Sequence, residues 1–320
     1  MRLELPKKWI HNLKTLDVAF QPIINIHTGK IFAVEALLRN YEKVGFNSIF
    51  DLFDAVYKDN LLYSFDLKLR KKALKKLISL EGYEDIKLFY NLDNRLLEMP
   101  NFKQGNTGKL LKQYGVEKNR ICFEISERHE ISNNSRMQEV LEHYKSENFC
   151  IAIDDFGVGY SGYKLLYTSK PDIIKIDRFF LSDIQKDMKK KLMARSIAHL
   201  AIQLGIKVIA EGIENKEELL TCRDIGCHFV QGYFIQKPTL LASEIAQEYP
   251  HVLNILNSEK RVTESSYKIE TFLNKTPPFS IDTEIKNIVK HFQKNPQAET
   301  VAIVNSSNES MDILQENKIK

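Results

Sequence analysis

The feature that most limits what this chain can fold into is an alternation of two periodicities. Eight short runs rich in β-branched and aromatic residues recur along it: "VAFQPIINI" (18–26), "IFAVEALLR" (31–39), "LFYNL" (88–92), "ICFEIS" (121–126), "CIAID" (150–154), "IIKID" (173–177), "KVIAEGI" (207–213) and "FVQGYFI" (229–235). The first two are joined by "HTGK", a hairpin-type connection, so they should run antiparallel. Helical stretches such as "SRMQEVLEHYKSE" (135–147), "KKKLMARSIAHLAIQLG" (189–205) and "KEELLTCRDIG" (216–226) separate later runs, the last two closing on glycine as helices often do. Strand and helix repeated this often predict a mostly parallel sheet covered by helices. Eight strands within about 230 residues suit a closed α/β barrel of the (β/α)8 TIM type, typically roughly 250 residues long. An open doubly wound sheet is the alternative, and the count of eight strand runs weighs against it.

The remaining sequence divides around that unit. Residues 1–16 form an N-terminal segment and 17–250 the barrel; 251–268 are polar and linker-like, and 269–320 are a short C-terminal extension. Within the extension, "DTEIKNIVKHFQKNPQAETVAIVN" (282–305) predicts one helix and one strand, and the residues after it carry no further strand pattern.

Composition excludes several function classes. Hydrophobic residues make up 43% and charged residues 28%, near the average for globular chains, and the formal net charge is only +4. The lysines of "LKLRKKALKKL" (67–77) alternate with leucines at helical spacing and read as a solvated helix face, so no nucleic-acid polymer is expected as a partner. No run is long and apolar enough to span a bilayer and the opening residues lack a signal-peptide pattern, so a cytoplasmic location is expected. Four cysteines, Cys122, Cys150, Cys222 and Cys227, lack zinc-site spacing and read as reduced core thiols.

Polar residues recur at or near the carboxyl ends of the strand candidates: Glu35 on the second, Asn91 on the third, Glu124 on the fourth, Asp154 and Asp155 on the fifth, Lys175 on the sixth, Glu211 on the seventh, Gln231 on the eighth. Singly, each has a bland reading. Glu35 could belong to a helix, Asn91 to a turn, Lys175 and Asp177 to a surface ion pair, and Gln231 with Gly232 to a strand-end bulge. Together they converge on the rim where such barrels collect catalytic groups. Five carboxylates on one face would repel strongly without cations, and hard oxygen donors with no histidine select magnesium or manganese. Two divalent cations bridged by a carboxylate such as Asp154 suit phosphoester hydrolysis. Lys175 supplies a fixed positive charge and Arg39 a fork for a phosphate oxygen.

The ordered set "FQPI", "EALLR", "NL", "FEISE", "DDFGVGYS", "KID", "AEGIE" and "QGYFIQKP" resembles the EAL domain family of cyclic di-GMP phosphodiesterases across about residues 17–250. The resemblance implies a modified (β/α)8 barrel with an antiparallel first strand pair that cuts cyclic di-GMP to linear 5′-pGpG. It assigns metal binding to Glu35, Asn91, Glu124, Asp154 and Asp155, and a metal-linked acid or general base to Glu211. Lys175 and Gln231 match groups that hold the nucleophilic water, and Gln21 and Arg39 match substrate contacts. Glu127 matches an acid that steadies the loop from Phe156 to Tyr163, a loop linked in the family to contacts within a homodimer. Val158, Gly162, Asn40 and Asp93 depart from the common family residues, and none of them is a ligand position. A catalytically silent relative that binds cyclic di-GMP or a partner protein is the alternative function. The extension resembles the opening of a CBS domain cut short, with a helical tail as the other reading.

Overall fold

The structure is a computed structural model that describes residues 5–99, 102–103, 105–126, 134–159, 162–258, 277–295, 298, 300–304 and 310–315. Its residues group into two compact units, 1–259 and 260–320.

In the larger unit eight strands close into a barrel in sequence order: β1 (Asp17–Asn25), β2 (Ile31–Arg39), β3 (Lys87–Asn91), β4 (Ile121–Ser126), β5 (Cys150–Phe156), β6 (Ile173–Ile176), β7 (Lys207–Ala210) and β8 (Phe229–Val230). β1 runs antiparallel to both neighbours, Asp17 pairing with Arg39 of β2 and Ile24 with Val230 of β8, while the pairs from β2 to β8 are parallel. The barrel is therefore the expected one, with the reversal confined to β1.

The last two strands are shorter than the sequence periodicity predicts, and glycine geometry gives the reason. Gly212 sits at φ +67°, a left-handed conformation that ends β7 at Ala210. A Cβ at Gly232 would fall 2.1 Å from the Ile213 carbonyl oxygen, so the chain after β8 packs against the β7 loop and leaves the sheet.

Helices cover the barrel. They include α1 (Lys7–Thr15), α2 (Ile49–Lys58), α3 (Leu62–Leu77), α4 (Asn106–Tyr114), α5 (Asn134–Ser146), α6 (Gly162–Ser169), α7 (Arg178–Leu181), α8 (Met188–Gln203), α9 (Lys216–Asp224) and α10 (Pro250–Ser258). α1 belongs to the same core: Trp9 is 1% exposed, packs edge-on against Phe65 and donates its indole N–H to Asp59 at 2.8 Å. On α3, Lys68 and Lys75 are exposed and Lys71, Lys72 and Lys76 half-buried, but Arg70 is buried. It pairs with Asp66 at 2.5 Å and donates to Thr107 at 2.8 Å, which corrects the expectation of a wholly solvated basic face. No helix among the described residues is long and apolar enough to cross a membrane.

The smaller unit has β9 (Phe279–Ser280), α11 (Ile285–Lys294), β10 (Thr300–Val304) and β11 (Ser310–Gln315) in a sheet of order β11-β10-β9. Ile288 and Phe292 of the helix pack with Ala298 and Val301. β11 corrects the expectation that no strand follows residue 305, and the sheet replaces the helical tail. Its sequence, "SMDILQ", has the length of a strand but an aspartate between its apolar residues, and pairing with β10 stabilises it.

Candidate active site

Side chains alternate across a strand, so residues two apart share a face. Glu124, Asp154 and Lys175 thus point into the barrel with Cys122, Ala152 and Ile173 beneath them. The adjacent pair Asp154 and Asp155 breaks that rule and needs a local device. The β5–β6 register slips between Ile153 and Phe156, and Asp155 adopts φ +55°. This bulge turns both carboxylates toward one place, where oxygens of Asp154, Asp155 and Glu211 lie within 4.8 Å of one another.

Glu35 sits in the middle of β2 rather than at its end, a correction to the strand-end reading. The strand continues four residues beyond it because β1 pairs with it throughout, so a mid-strand residue reaches the same rim. Being in a strand, it is also not the helix residue its neighbours would suggest. Its carboxylate accepts from Gln231 Nε2 at 2.7 Å and from Asn91 Nδ2 at 3.2 Å, and Asn91 Nδ2 also donates to Glu124 at 3.1 Å. Gln231 further donates to Gln21 Oε1 at 3.2 Å.

Lys175 is the hub of the cluster. Its ammonium, 1% exposed, lies 2.6 Å from Glu124, 2.6 Å from Glu211, 3.0 Å from Asp154 and 3.4 Å from Glu35. The contacts to Glu124 Oε1 and Asp154 Oδ1 are ion contacts without hydrogen-bond alignment. Such burial rules out a surface pair with Asp177. Burial alone would depress the lysine, but Asp154, Glu124, Glu211 and Glu35 outweigh it and hold its pKa well above the ordinary value. Four carboxylates nevertheless face one ammonium. Burial, then the neighbouring Glu35, push Glu124 well above the usual carboxylate range, with Lys175 opposing. Glu211, whose side chain is 16% exposed, is also raised well, by desolvation first and then by Asp154 and Glu35 against Lys175.

This donor set fits a hard divalent cation. The clustered ligands are carboxylate oxygens, their charge exceeds what Lys175 neutralises, and Gln231 Oε1 is buried without a hydrogen-bond partner.

The other sequence candidates divide. Gln21 is buried beside Gln231 and donates to the Gln236 carbonyl at 3.3 Å, within the cluster. Arg39 is at the far end of β2 and donates to the Leu38 carbonyl at 2.8 Å, so the structure does not bring it onto the acids. Glu127 lies outside the described residues, as do Tyr160 and Ser161 of its loop.

Two clefts open from the cluster. One, of about 240 Å³, runs past Gln21, Glu211, Gln231 and Tyr233, and the other, of about 380 Å³, past Asn91, Asp154 and Asp155. The second is walled by Phe50 and Phe53 of α2 and by Arg95, residues that motif reading does not single out. The available signal is the helix start at "NSIFDLF", where Ser48 Oγ caps the Asp51 amide at 3.0 Å.

A closed barrel with a reversed first strand and a buried acid–lysine cluster at its carboxyl-end rim defines a class of α/β barrels whose rim could hold a metal ion. The EAL domain model matches residues 6–238, and the chain belongs to that family. Cyclic di-GMP phosphodiesterase PA2567 of Pseudomonas aeruginosa is 30% identical over 225 residues, which cover 70% of this chain and 38% of that protein. NbdA, a cyclic di-GMP phosphodiesterase of the same organism, is 28% identical over 234 residues, covering 71% and 29%. The chain thus spans well under half the length of these curated relatives. Among solved structures, the manganese and cyclic di-GMP complex of Klebsiella pneumoniae BlrP1 superposes with a TM-score of 0.63 at 28% identity, covering 70% of this chain and 56% of that one.

Proposed function

We propose that this chain is a metal-dependent phosphodiesterase that hydrolyses cyclic di-GMP to linear 5′-pGpG. The observation that carries the proposal is the convergence of Glu35, Asn91, Glu124, Asp154, Asp155 and Glu211 around Lys175 at one barrel rim. Family membership supports it, as do relatives whose names record this activity.

Glu35, Asn91, Glu124, Asp154 and Asp155 are the ligands for two divalent cations, magnesium or manganese, with Glu211 adjoining them as a further ligand or general base. Such cations supply Lewis-acid activation of water and neutralise charge on the phosphodiester. The chain's own groups do the rest. Lys175 and Gln231 hold the attacking water in line, the lysine by charge and the glutamine through its free Oε1. Burial, with Asp154 and Glu35 nearby, raises Glu211 well above the usual carboxylate range, a direction that suits a general base. Gln21 positions a phosphate or ribose oxygen, and Arg39 reaches the substrate only by leaving Leu38. Glu127 steadies the loop after the paired aspartates, and through that loop a homodimer would tune activity.

The test is incubation with cyclic di-GMP and manganese or magnesium, followed by chromatography for pGpG. Linear product that disappears with a chelator is the expected result. Binding of the dinucleotide without cleavage under either ion would overturn the enzyme reading in favour of a receptor.

A further inference from the structure

The opposite end of the barrel holds a pair of groups that the rim chemistry does not use. Cys122 is the second residue of β4 and Cys150 the first of β5, and the two are direct partners in the parallel ladder. Adjacent strands lie about 4.8 Å apart, inside the roughly 4.4–6.8 Å Cα separation that a disulfide needs. Their sulfurs are 3.0 Å apart as free thiols. Cys122 is fully buried, whereas Cys150 is half-buried and lines a cavity of about 1270 Å³ at the amino ends of the strands. The charged residues of that cavity are Lys87, Lys145, Lys170 and Lys207 against the single acid Asp172. Lys145 lies 3.5 Å from Asp172, which leaves an excess of positive charge around the mouth.

We propose that Cys122 and Cys150 form a thiol–disulfide exchange site, entered through this cavity and served by a small anionic disulfide of the glutathione type. The Cys150 thiolate attacks one sulfur of the incoming disulfide, forming a mixed disulfide and expelling one thiolate. Cys122 then attacks Cys150 Sγ, its proton passing to the second departing thiolate. Two protein thiols and one small disulfide become one β4–β5 disulfide and two small thiols, so atoms and electrons balance. The lysines favour an anionic reagent over a cationic one. The roles follow from access, since only Cys150 faces the cavity, and from the sulfur contact that lets Cys122 resolve the mixed disulfide.

The experiment uses the full chain, fully reduced, exposed in parallel to glutathione disulfide and to cystamine, a cationic disulfide. Thiols are counted with time and the linkage is mapped by peptide mass spectrometry. The expected result is loss of two of the four thiols, a Cys122–Cys150 peptide, and faster reaction with glutathione disulfide than with cystamine at low salt. Lys207→Glu with Lys170→Glu should narrow or reverse that preference while leaving the linkage the same. Cys150→Ser should abolish the linkage, and since Lys170 and Lys207 are both exposed, the lysine variant remains informative where that substitution fails to fold. A mixed disulfide that stays on Cys150, a bond between Cys222 and Cys227 instead, or equal rates for both reagents would each overturn the proposal.

Discussion

The two ends of the barrel are built by the same strands and differ in kind. At the amino ends, Ile23, Ala33, Phe89, Cys122, Ala152, Ile173, Ile209 and Phe229 form an apolar plug. Two residues away from each of these, on the strand or just past its end, stand Gln21, Glu35, Asn91, Glu124, Asp154, Lys175, Glu211 and Gln231. In seven strands the polar residue follows the apolar one; in β1 it precedes it, because β1 runs the other way. One period of two therefore sets an oily floor beneath a charged rim. The floor is fixed by packing alone. The rim must also balance charge, which leaves it open to protons and cations.

Asp154→Asn breaks the rim most completely. Hydrolysis of cyclic di-GMP should drop to the level of the no-enzyme control, while circular dichroism and the metal-free melting temperature hold or rise because like-charge repulsion is relieved. Stabilisation by added manganese should shrink. Undiminished pGpG production would sink the cation-site account.

Lys175→Met removes the one ammonium facing four carboxylates. Stranding a buried charge in this way costs about 3–5 kcal/mol. Denaturation in chelator should show a loss of that order, and manganese should recover more stability in the variant than in the wild type. A variant as stable as wild type without metal would mean that the acids already hold protons enough to do without the lysine.

The pH dependence of the wild type sharpens the contrast further. Glu124 and Glu211 both have folded pKa values raised above the unfolded glutamate value of about 4.3. Between that value and their folded ones, the folded state binds more protons than the unfolded state. Stability of the metal-free protein should therefore fall as pH rises through this window, by about 1.4 kcal/mol per pH unit for each group. Lys175, raised as well, keeps its charge throughout the window. Denaturant titrations in chelator at successive pH values check the slope, and saturating manganese should flatten it by displacing those protons. A flat profile in chelator would show that the rim is not proton-loaded.

Ile209→Val trims the floor under Glu211 by one methylene. A cost of about 1 kcal/mol, or roughly 2–4 °C in melting temperature, is expected with pGpG production unchanged. Activity falling in step with stability would show that floor and rim are not separable.

Much of this arrangement is legible in the sequence because both layers ride on a short-range period. "AVE", "FYN", "CFE", "IAID", "IIK", "VIAE" and "FVQ" each carry an apolar residue and then a polar one on the same strand face. What is hidden depends on contacts between distant segments. That Asp154 and Asp155 face one place requires the bulge and the positive φ of Asp155, which no local pattern announces. Arg70 reads as one more cation in a lysine-rich helix until Asp66 and Thr107 surround it. Phe50 and Phe53 become cleft walls only when α2 is laid beside β3. Arg39 follows the motif closely, yet its guanidinium turns to its own backbone, a choice of rotamer that sequence does not encode.

The reversal of β1 also decides how the barrel is wired. In an all-parallel barrel the chain enters at the floor, far from the chemistry. Here Asp17 pairs with Arg39, so the first strand starts at the rim and descends. α1 precedes it directly and anchors Trp9 against Phe46, just past the end of β2. Any displacement of α1 along the chain is thus passed to the mouth of the site before the floor, and Gln21, four residues into the strand and paired with Glu35, is the first rim group on that path.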